Sequence, residues 1–191
     1  MKEIILASAS PRRNELLKQI GLQIQVLPST IEETIDSDLC PEKLVMSLSS
    51  MKAHDIAAKS NKNCIIIGAD TIVVCGKILG KPQNEDDAFN MLDSLQGKWH
   101  EVITGITVID NNSNNCITDF EKTRVKMREL TNDEISTYIR TGEPLDKAGA
   151  YGIQGIGAVL VEKIDGCYFN VVGLPLAKLC IILKKFEISI L

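Results

Sequence analysis

The sequence has no C-x-x-C pair, no apolar run of membrane-spanning length, no excess of basic charge and only two histidines. Each absence removes a class of function. The six cysteines (Cys40, Cys64, Cys75, Cys116, Cys167 and Cys180) are scattered and mostly sit inside apolar runs, which fits reduced core thiols better than a disulfide frame or a zinc site. With 21 Lys and Arg against 25 Asp and Glu, the net charge of -4 offers no general attraction to a nucleic-acid backbone, so any polyanion site has to be local. His54 and His100 fall in unrelated segments and there is no G-x-S-x-G, which argues against a serine-hydrolase triad. The missing G-x-x-x-x-G-K-[S/T] loop removes the ordinary nucleotide-motor reading. Lys2, Glu3, Arg12 and Arg13 bracket an apolar run too short for a signal peptide, so a cytoplasmic protein with no membrane or nucleic-acid partner is expected. The 191 residues suffice for a sizeable core and are expected to form one domain over 1–191.

What is present centres on Cys64 to Pro82, C-I-I-I-G-A-D-T-I-V-V-C-G-K-I-L-G-K-P. Two β-branched apolar runs, a pattern typical of a buried strand, flank Asp70 and Thr71. An unpaired buried carboxylate costs several kcal/mol, so Asp70 needs a cation, a metal ion or backbone donors, unless Asp70 and Thr71 merely cap a turn. Residues 3–8 read as a first buried strand, and Ser10 with Pro11 predicts a helix start that turns Leu16, Leu17 and Ile20 inward before Gly21. Arg12 and Arg13 lie in the first turn, against the helix dipole. With the hydroxyls of Ser8 and Ser10 they form a plausible phosphate cradle, the alternative being two solvated surface arginines.

A second strand is expected over Gln23–Leu27, followed by an acidic loop with Glu32, Glu33, Asp36 and Asp38. Most such loops are only solvated, but a carboxylate there is able to join Asp70 around a divalent ion. Pro41 opens a helix to about Ser60 with an inward stripe of Leu44, Val45, Leu48, Met51 and Ile56. Lys52 falls on that stripe, either snorkelling to solvent or reaching a phosphate. Lys81, between Gly80 and Pro82, is placed where the chain turns sharply. Alternating segments at Trp99–Ile109 and Cys116–Met127 flank a polar N-N-S-N-N loop, and Thr131 with Glu134 predicts a capping box. The tract D-K-A-G-A-Y-G-I-Q-G-I-G (146–157) is glycine-rich enough to require close backbone approach, and Gln154 is its one residue able to read a base edge with both a donor and an acceptor. A strand over Ala158–Ile164 and a helix from about Pro175 to Lys185 end the chain. Arg12, Arg13, Lys52 and Lys81 as cations, Glu33 and Asp70 as carboxylates, and a divalent metal suit hydrolysis of a polyphosphate.

The motifs S-A-S-P-R-R (8–13), I-E-E-T (31–34), M-K-A (51–53), G-A-D-T (68–71), L-G-K-P (79–82), K-A-G-A-Y-G-I-Q-G (147–155) and N-V-V-G-L-P-L (170–176) resemble the Maf family of nucleoside triphosphate pyrophosphatases, in order and across almost the whole chain. The resemblance implies hydrolysis of a nucleoside triphosphate at the α-phosphorus to the monophosphate and pyrophosphate. Asp70 would be the general base, sharing Mg2+ or Mn2+ with Glu33, while which of Glu32 and Glu33 faces the site stays open. Ser8, Arg12, Arg13, Lys52 and Lys81 would hold the phosphates, and Arg12, Thr71 and Gln154 would set base preference. A sister branch preferring 7-methylguanosine triphosphate carries Trp after the S-P step, Gln after G-S-D and a different tract in place of G-I-Q-G. Arg12, Thr71 and Gln154 therefore point to the dTTP/UTP branch. The implied fold is α/β, an elongated two-lobed single domain with a twisted mixed central sheet flanked by helices (Maf/ITPase-like), a cleft between the lobes and often a homodimer. The competing reading is a non-catalytic nucleotide-binding regulator of septum formation, for which an extra anion such as Asp70 near the α-phosphate has no use.

Overall fold

A computed structural model describes residues 2–31, 39–61 and 63–191. In chain order its elements are β1 (Glu3–Leu6), α1 (Pro11–Gln19), β2 (Gln25–Val26), α2 (Pro41–Lys59), β3 (Cys64–Cys75), β4 (Lys77–Leu79), α3 (Glu85–Leu95) and β5 (Trp99–Asp110). There follow β6 (Asn115–Met127), α4 (Asn132–Ile139), three 3-10 helices between Glu143 and Leu160, β7 (Val161–Asp165), α5 (Tyr168–Val172) and α6 (Leu176–Lys184). The described strands form a seven-stranded mixed sheet in the order β2-β1-β3-β5-β6-β7, with β4 also on β3. Pairing is parallel from β2 through β1 to β3, and antiparallel for β3 with β4 and for β6 with β7.

The chain divides into two compact units, one made of Met1–Asp70, Thr104–Glu121 and Gly173–Leu191, the other of Thr71–Ile103 and Lys122–Val172. Strands β3, β5 and β6 each contribute residues to both.

In the first unit, β1 and the start of β3 run in register from Glu3 beside Cys64 to Leu6 beside Ile67. Their isoleucines have apolar neighbours on both faces, and Ile65, Ile66 and Ile67 are fully buried, which is why the runs are continuous rather than alternating. Two glycines set how closely α2 approaches. A Cβ at Gly68 would lie 2.4 Å from the Ser49 carbonyl oxygen, and one at Gly105 would lie 2.2 Å from that of Val45. No side chain fits at either place, so the glycines of β3 and β5 let α2 rest on strand backbone. Ser49 and Thr107 then meet hydroxyl to hydroxyl at 2.9 Å. The C-terminal end of α2 is held by Asn111, whose Nδ2 donates to the carbonyls of Ala57 at 3.1 Å and Asn61 at 2.9 Å. The N-N-S-N-N loop thus has a structural job that polarity alone does not reveal.

The second unit has its own core, in which Val73, Leu79, Leu92, Leu95, Met127 and Tyr138 are buried together. Helix α3 starts at Asn84, whose side chain accepts from the Asp87 amide. Helix α4 starts in the predicted capping box of Thr131 and Glu134.

Several expectations are corrected. The second strand is only Gln25–Val26, and both residues are exposed, so it is a short edge strand. β5 is buried without interruption from Val102 to Asp110 instead of alternating, because both of its faces are covered. Residues 158–160 belong to a 3-10 helix, and the strand begins at Val161. Of the predicted inward positions of α1, Leu16 and Leu17 are buried but Ile20 is not, and Arg13 is buried in addition. The acidic segment 32–38, with Glu32 and Glu33, lies outside the described residues.

Candidate active site

Four of the residues singled out in the sequence come together in the first unit. β1 ends at Leu6, Ala7 donates its amide to the Ile67 carbonyl at 2.8 Å, and Ser8 follows with 7% exposure. The Ser8 hydroxyl oxygen accepts from the Ser10 amide at 3.3 Å and from Arg13 Nη1 at 3.0 Å. Arg13 Nη1 also donates to the Ala69 carbonyl at 2.9 Å, and its Nε donates to the Gly173 carbonyl at 2.8 Å. Arg13 therefore ties the start of α1 to the residue before Asp70 and to the turn before α6. Arg13 is 9% exposed, and its guanidinium brings positive charge to the end of β1, where it also donates to the Ser8 hydroxyl and to the carbonyls of Ala69 and Gly173.

Asp70 closes this group. It is 9% exposed, and Lys52 Nζ lies 2.5 Å from its Oδ1. The pairing follows from the glycine contact described above: α2 rests on Gly68, so Lys52, three residues after Ser49, reaches the carboxylate two residues after Gly68. Besides the two fates the sequence left open for Lys52, solvent and a phosphate, the structure sets it in a partly buried ion pair. Such a pair meets the requirement that a carboxylate embedded in apolar strand be compensated. Helix α1 begins at Ser10 without a side-chain cap and without an acidic residue in its first turn, and Arg12 is half-buried there. Backbone N–H groups at such a helix start, together with basic side chains, suit an anion.

Thr71, Lys81 and Gln154 belong to the second unit. The glycine tract is bound to the turn of Lys81, because the Gly149 amide donates to the Gly80 carbonyl at 2.9 Å. Gly149 has φ +69, and a Cβ there would meet Val73 Cγ2 at 2.9 Å, so the tract also packs on β3, two residues beyond Thr71. The close approach expected of the tract is an approach to strand backbone and side chain. Thr71 and Gln154 are half-buried and Lys81 is exposed. Three residues before Gln154, Tyr151 is buried and its hydroxyl lies 2.7 Å from His100 Nε2. Burial lowers the His100 pKa from its usual value to about 4, so the ring is neutral at physiological pH. A hollow of about 320 Å3 in the same unit is lined by Arg128, Thr137, Tyr138, Ile156 and Leu160 among others, and none of the predicted site residues lines it.

Among the described residues no three His, Cys, Asp or Glu side chains gather as a metal-ion cage. Asp70 offers a hard-oxygen donor of the kind that, with further carboxylates and a substrate's phosphates, could hold Mg2+ or Mn2+. Glu33, the second carboxylate expected, is outside the described residues. Sequence reasoning missed Asn170, fully buried with its Nδ2 donating to the Val102 carbonyl at 2.9 Å, and the clasp of Glu143 on the glycine tract. Glu143 was legible only as an acidic residue next to a proline; nothing local marks its partners.

Solved structures share the fold. The chain aligns with a HAM1 protein from Coxiella burnetii at TM-score 0.52 and 14% identity, over 84% of this chain and 81% of that one. It aligns with the Ham1 protein of Staphylococcus aureus at TM-score 0.50 and 15% identity, over 84% and 80%. Sequence relatives are much nearer. A dTTP/UTP pyrophosphatase of Acetivibrio thermocellus is 52% identical over 197 residues, covering 100% of this chain and 98% of the relative. One of Caldicellulosiruptor saccharolyticus is 51% identical over 189 residues, covering 97% and 95%. A family model described as Maf-like protein matches residues 3–186 and so takes in every motif from the Ser8 turn to the start of α6. Full-length likeness of this kind, with the Ser8, Arg13, Lys52 and Asp70 side chains gathered as described, places the chain in the Maf family, to which it belongs.

Proposed function

We propose that this protein hydrolyses dTTP and UTP, and modified pyrimidine nucleoside triphosphates, to the monophosphate and pyrophosphate, clearing them from the nucleotide pool. Support comes from family membership and from the names of relatives about half identical over their full length. The structural observation that carries the reading is the Lys52–Asp70 pair at 2.5 Å, a compensated carboxylate that follows Ala69, whose carbonyl accepts from Arg13 of the Ser8–Arg13 turn. Asp70 accepts a proton from water as the water oxygen bonds to the α-phosphorus. The bond from that phosphorus to the α,β-bridging oxygen breaks, and its electron pair leaves on pyrophosphate. Positive charge at Arg12, Arg13, Lys52 and Lys81 and the Ser8 hydroxyl stabilise the negative charge that the departing pyrophosphate gathers. A divalent cation, Mg2+ or Mn2+, held by Asp70 and Glu33, supplies further neutralisation of the phosphate oxygens when bound. Arg12, Thr71 and Gln154 select the pyrimidine base. The reading extends to residues 1–191 as one domain, to the cytoplasm and to a homodimer, all on family resemblance; among the described residues no helix is long and apolar enough to cross a membrane.

The test is pyrophosphate release from a panel of nucleoside triphosphates with Mg2+ or Mn2+, for wild type and Asp70→Asn side by side. A general base contributes about a hundredfold to ten-thousandfold, so turnover of dTTP and UTP in the variant should fall by at least the lower figure. Undiminished turnover would remove Asp70 from its role, and preference for a methylated guanine nucleotide would overturn the base assignment.

A further inference from the structure

The segment that carries Gln154 is held at both shoulders by two side chains remote from it in sequence. Glu143 accepts from the Gly157 amide through Oε1 at 3.0 Å and from the Ile156 amide through Oε2 at 3.0 Å. The Tyr138 hydroxyl donates to Glu143 Oε1 at 2.9 Å and accepts from the Gly152 amide at 3.1 Å. Gly152 lies two residues before Gln154, Ile156 two after it. Carboxylate and phenol thus form one clasp, with Tyr138 anchored by its ring in the core of the second unit.

The glycines of the tract fit this clasp and leave no slack. Gly155 has φ +65, and a Cβ there would lie 2.7 Å from Glu143 Oε2. A Cβ at Gly157 would lie 2.5 Å from the Tyr138 hydroxyl and 2.3 Å from the Gly152 carbonyl oxygen. On the other side, the stem of Lys147 packs where a Gly152 Cβ would meet its Cε at 2.9 Å, and Lys147 Nζ donates to the Glu143 carbonyl at 2.5 Å. Burial raises the Glu143 pKa, but the donors Gly157, Tyr138 and Ile156 outweigh it and leave the carboxyl below its ordinary value, as befits a group that must stay ionised to accept three hydrogen bonds. A turn held at only one end swings a glutamine freely. Fixing backbone amides on either side restricts the direction of the side chain between them, and preorganisation of that kind raises discrimination rather than the rate of the chemical step.

We propose that Glu143, together with Tyr138, is a positioning residue that aims Gln154 and thereby sets base selectivity; this rests on Gln154 being the base reader of the proposed function. The test measures kcat and KM for UTP and ATP in wild type, Glu143→Gln, Tyr138→Phe, Gln154→Ala and the two doubles with Gln154→Ala. Glu143→Gln turns one acceptor into a donor facing an N–H or O–H, and Tyr138→Phe keeps the core ring but removes the acceptor for Gly152, so either variant opens the clasp if the other fails to fold. The expected result is a rise in KM for UTP by about tenfold, the effect of one lost hydrogen bond's worth of aim, with kcat nearly unchanged and the UTP-to-ATP ratio of kcat/KM falling toward that of Gln154→Ala. In the doubles the ratio falls no further. Faster amide hydrogen exchange at residues 152–157 in the clasp variants accompanies this. If Gln154→Ala collapses the ratio while both clasp variants keep it, Gln154 reads the base but Glu143 does not aim it, and the proposal falls alone. If Gln154→Ala leaves the ratio unchanged, the base reading itself fails and takes the proposal with it.

Discussion

Asp70 and Lys52 hold each other in a setting where neither is comfortable alone. With side chains only 13% and 15% exposed, removing the ammonium leaves a carboxylate without its 2.5 Å partner. Residual exposure softens the penalty relative to a fully buried pair. Lys52→Ala is therefore expected to lower stability by roughly 1–3 kcal/mol, and adding Asp70→Asn should recover part of the loss in urea unfolding, since the uncompensated charge is then gone. Additive losses would mean that the pair is not coupled. His100 poses the opposite case, a buried ring kept neutral. Its pKa is pushed down to about 4 by desolvation, and Nδ1 has no hydrogen-bond partner among the described residues. In the unfolded chain it titrates near 6.5, so between about 6.5 and 4 the unfolded state binds the extra proton and stability drops as pH falls through that window. The drop should reach about 3 kcal/mol by pH 4, and the pH profile of the unfolding midpoint should flatten over this range in His100→Gln. An equal slope in the variant would assign the acid sensitivity elsewhere.

At the scale of elements, α2 is the part on which most depends. It rests on strand backbone at Gly68 and Gly105, its C-terminal carbonyls are taken by Asn111, and it carries Lys52 to Asp70. A methyl group at residue 68 has nowhere to go, because its 2.4 Å neighbour is a helix carbonyl rather than a flexible tip. Gly68→Ala should cost roughly 1–3 kcal/mol through overpacking and, by lifting α2, should reduce turnover more than its effect on the folded fraction explains. Thermal unfolding and turnover measured together check this; a loss of stability with full activity per folded molecule would show that the Lys52–Asp70 distance is not set by this contact.

For the molecule as a whole, the proposed function gives a divalent cation a part in catalysis and none in holding the fold. On that reading the cation would be shared between Asp70, Glu33 and the substrate's phosphates, and would be held only together with nucleotide. Chelation should therefore abolish pyrophosphate release while leaving the nucleotide-free unfolding midpoint where it was, whereas nucleotide and metal together should raise it by mass action. A fall in that midpoint on chelation alone would point to a structural metal instead.

How much of this was legible in the chain depends on the range of the interaction responsible. Local chemistry was readable: the unbroken β-branched runs of β1 and β3, Pro11 at the start of α1, the capping box of Thr131 and Glu134, and the motifs that mark the family. Burial on both faces of β5 was not, since alternation and continuous burial differ by what covers the second face, which belongs to other segments. Nor was the division of labour among the cations. The sequence offers Arg13 and Lys52 alike as phosphate holders, and packing adds that Arg13 is bonded to the Ser8 hydroxyl and to the carbonyls of Ala69 and Gly173, and Lys52 to Asp70. Residue types and their order determined the family and the kind of chemistry, because these follow from which groups are available. Tertiary structure decided which of those groups are already committed to one another, because a hydrogen bond between residues 13 and 173, or between 143 and 157, depends on distances that no local pattern encodes.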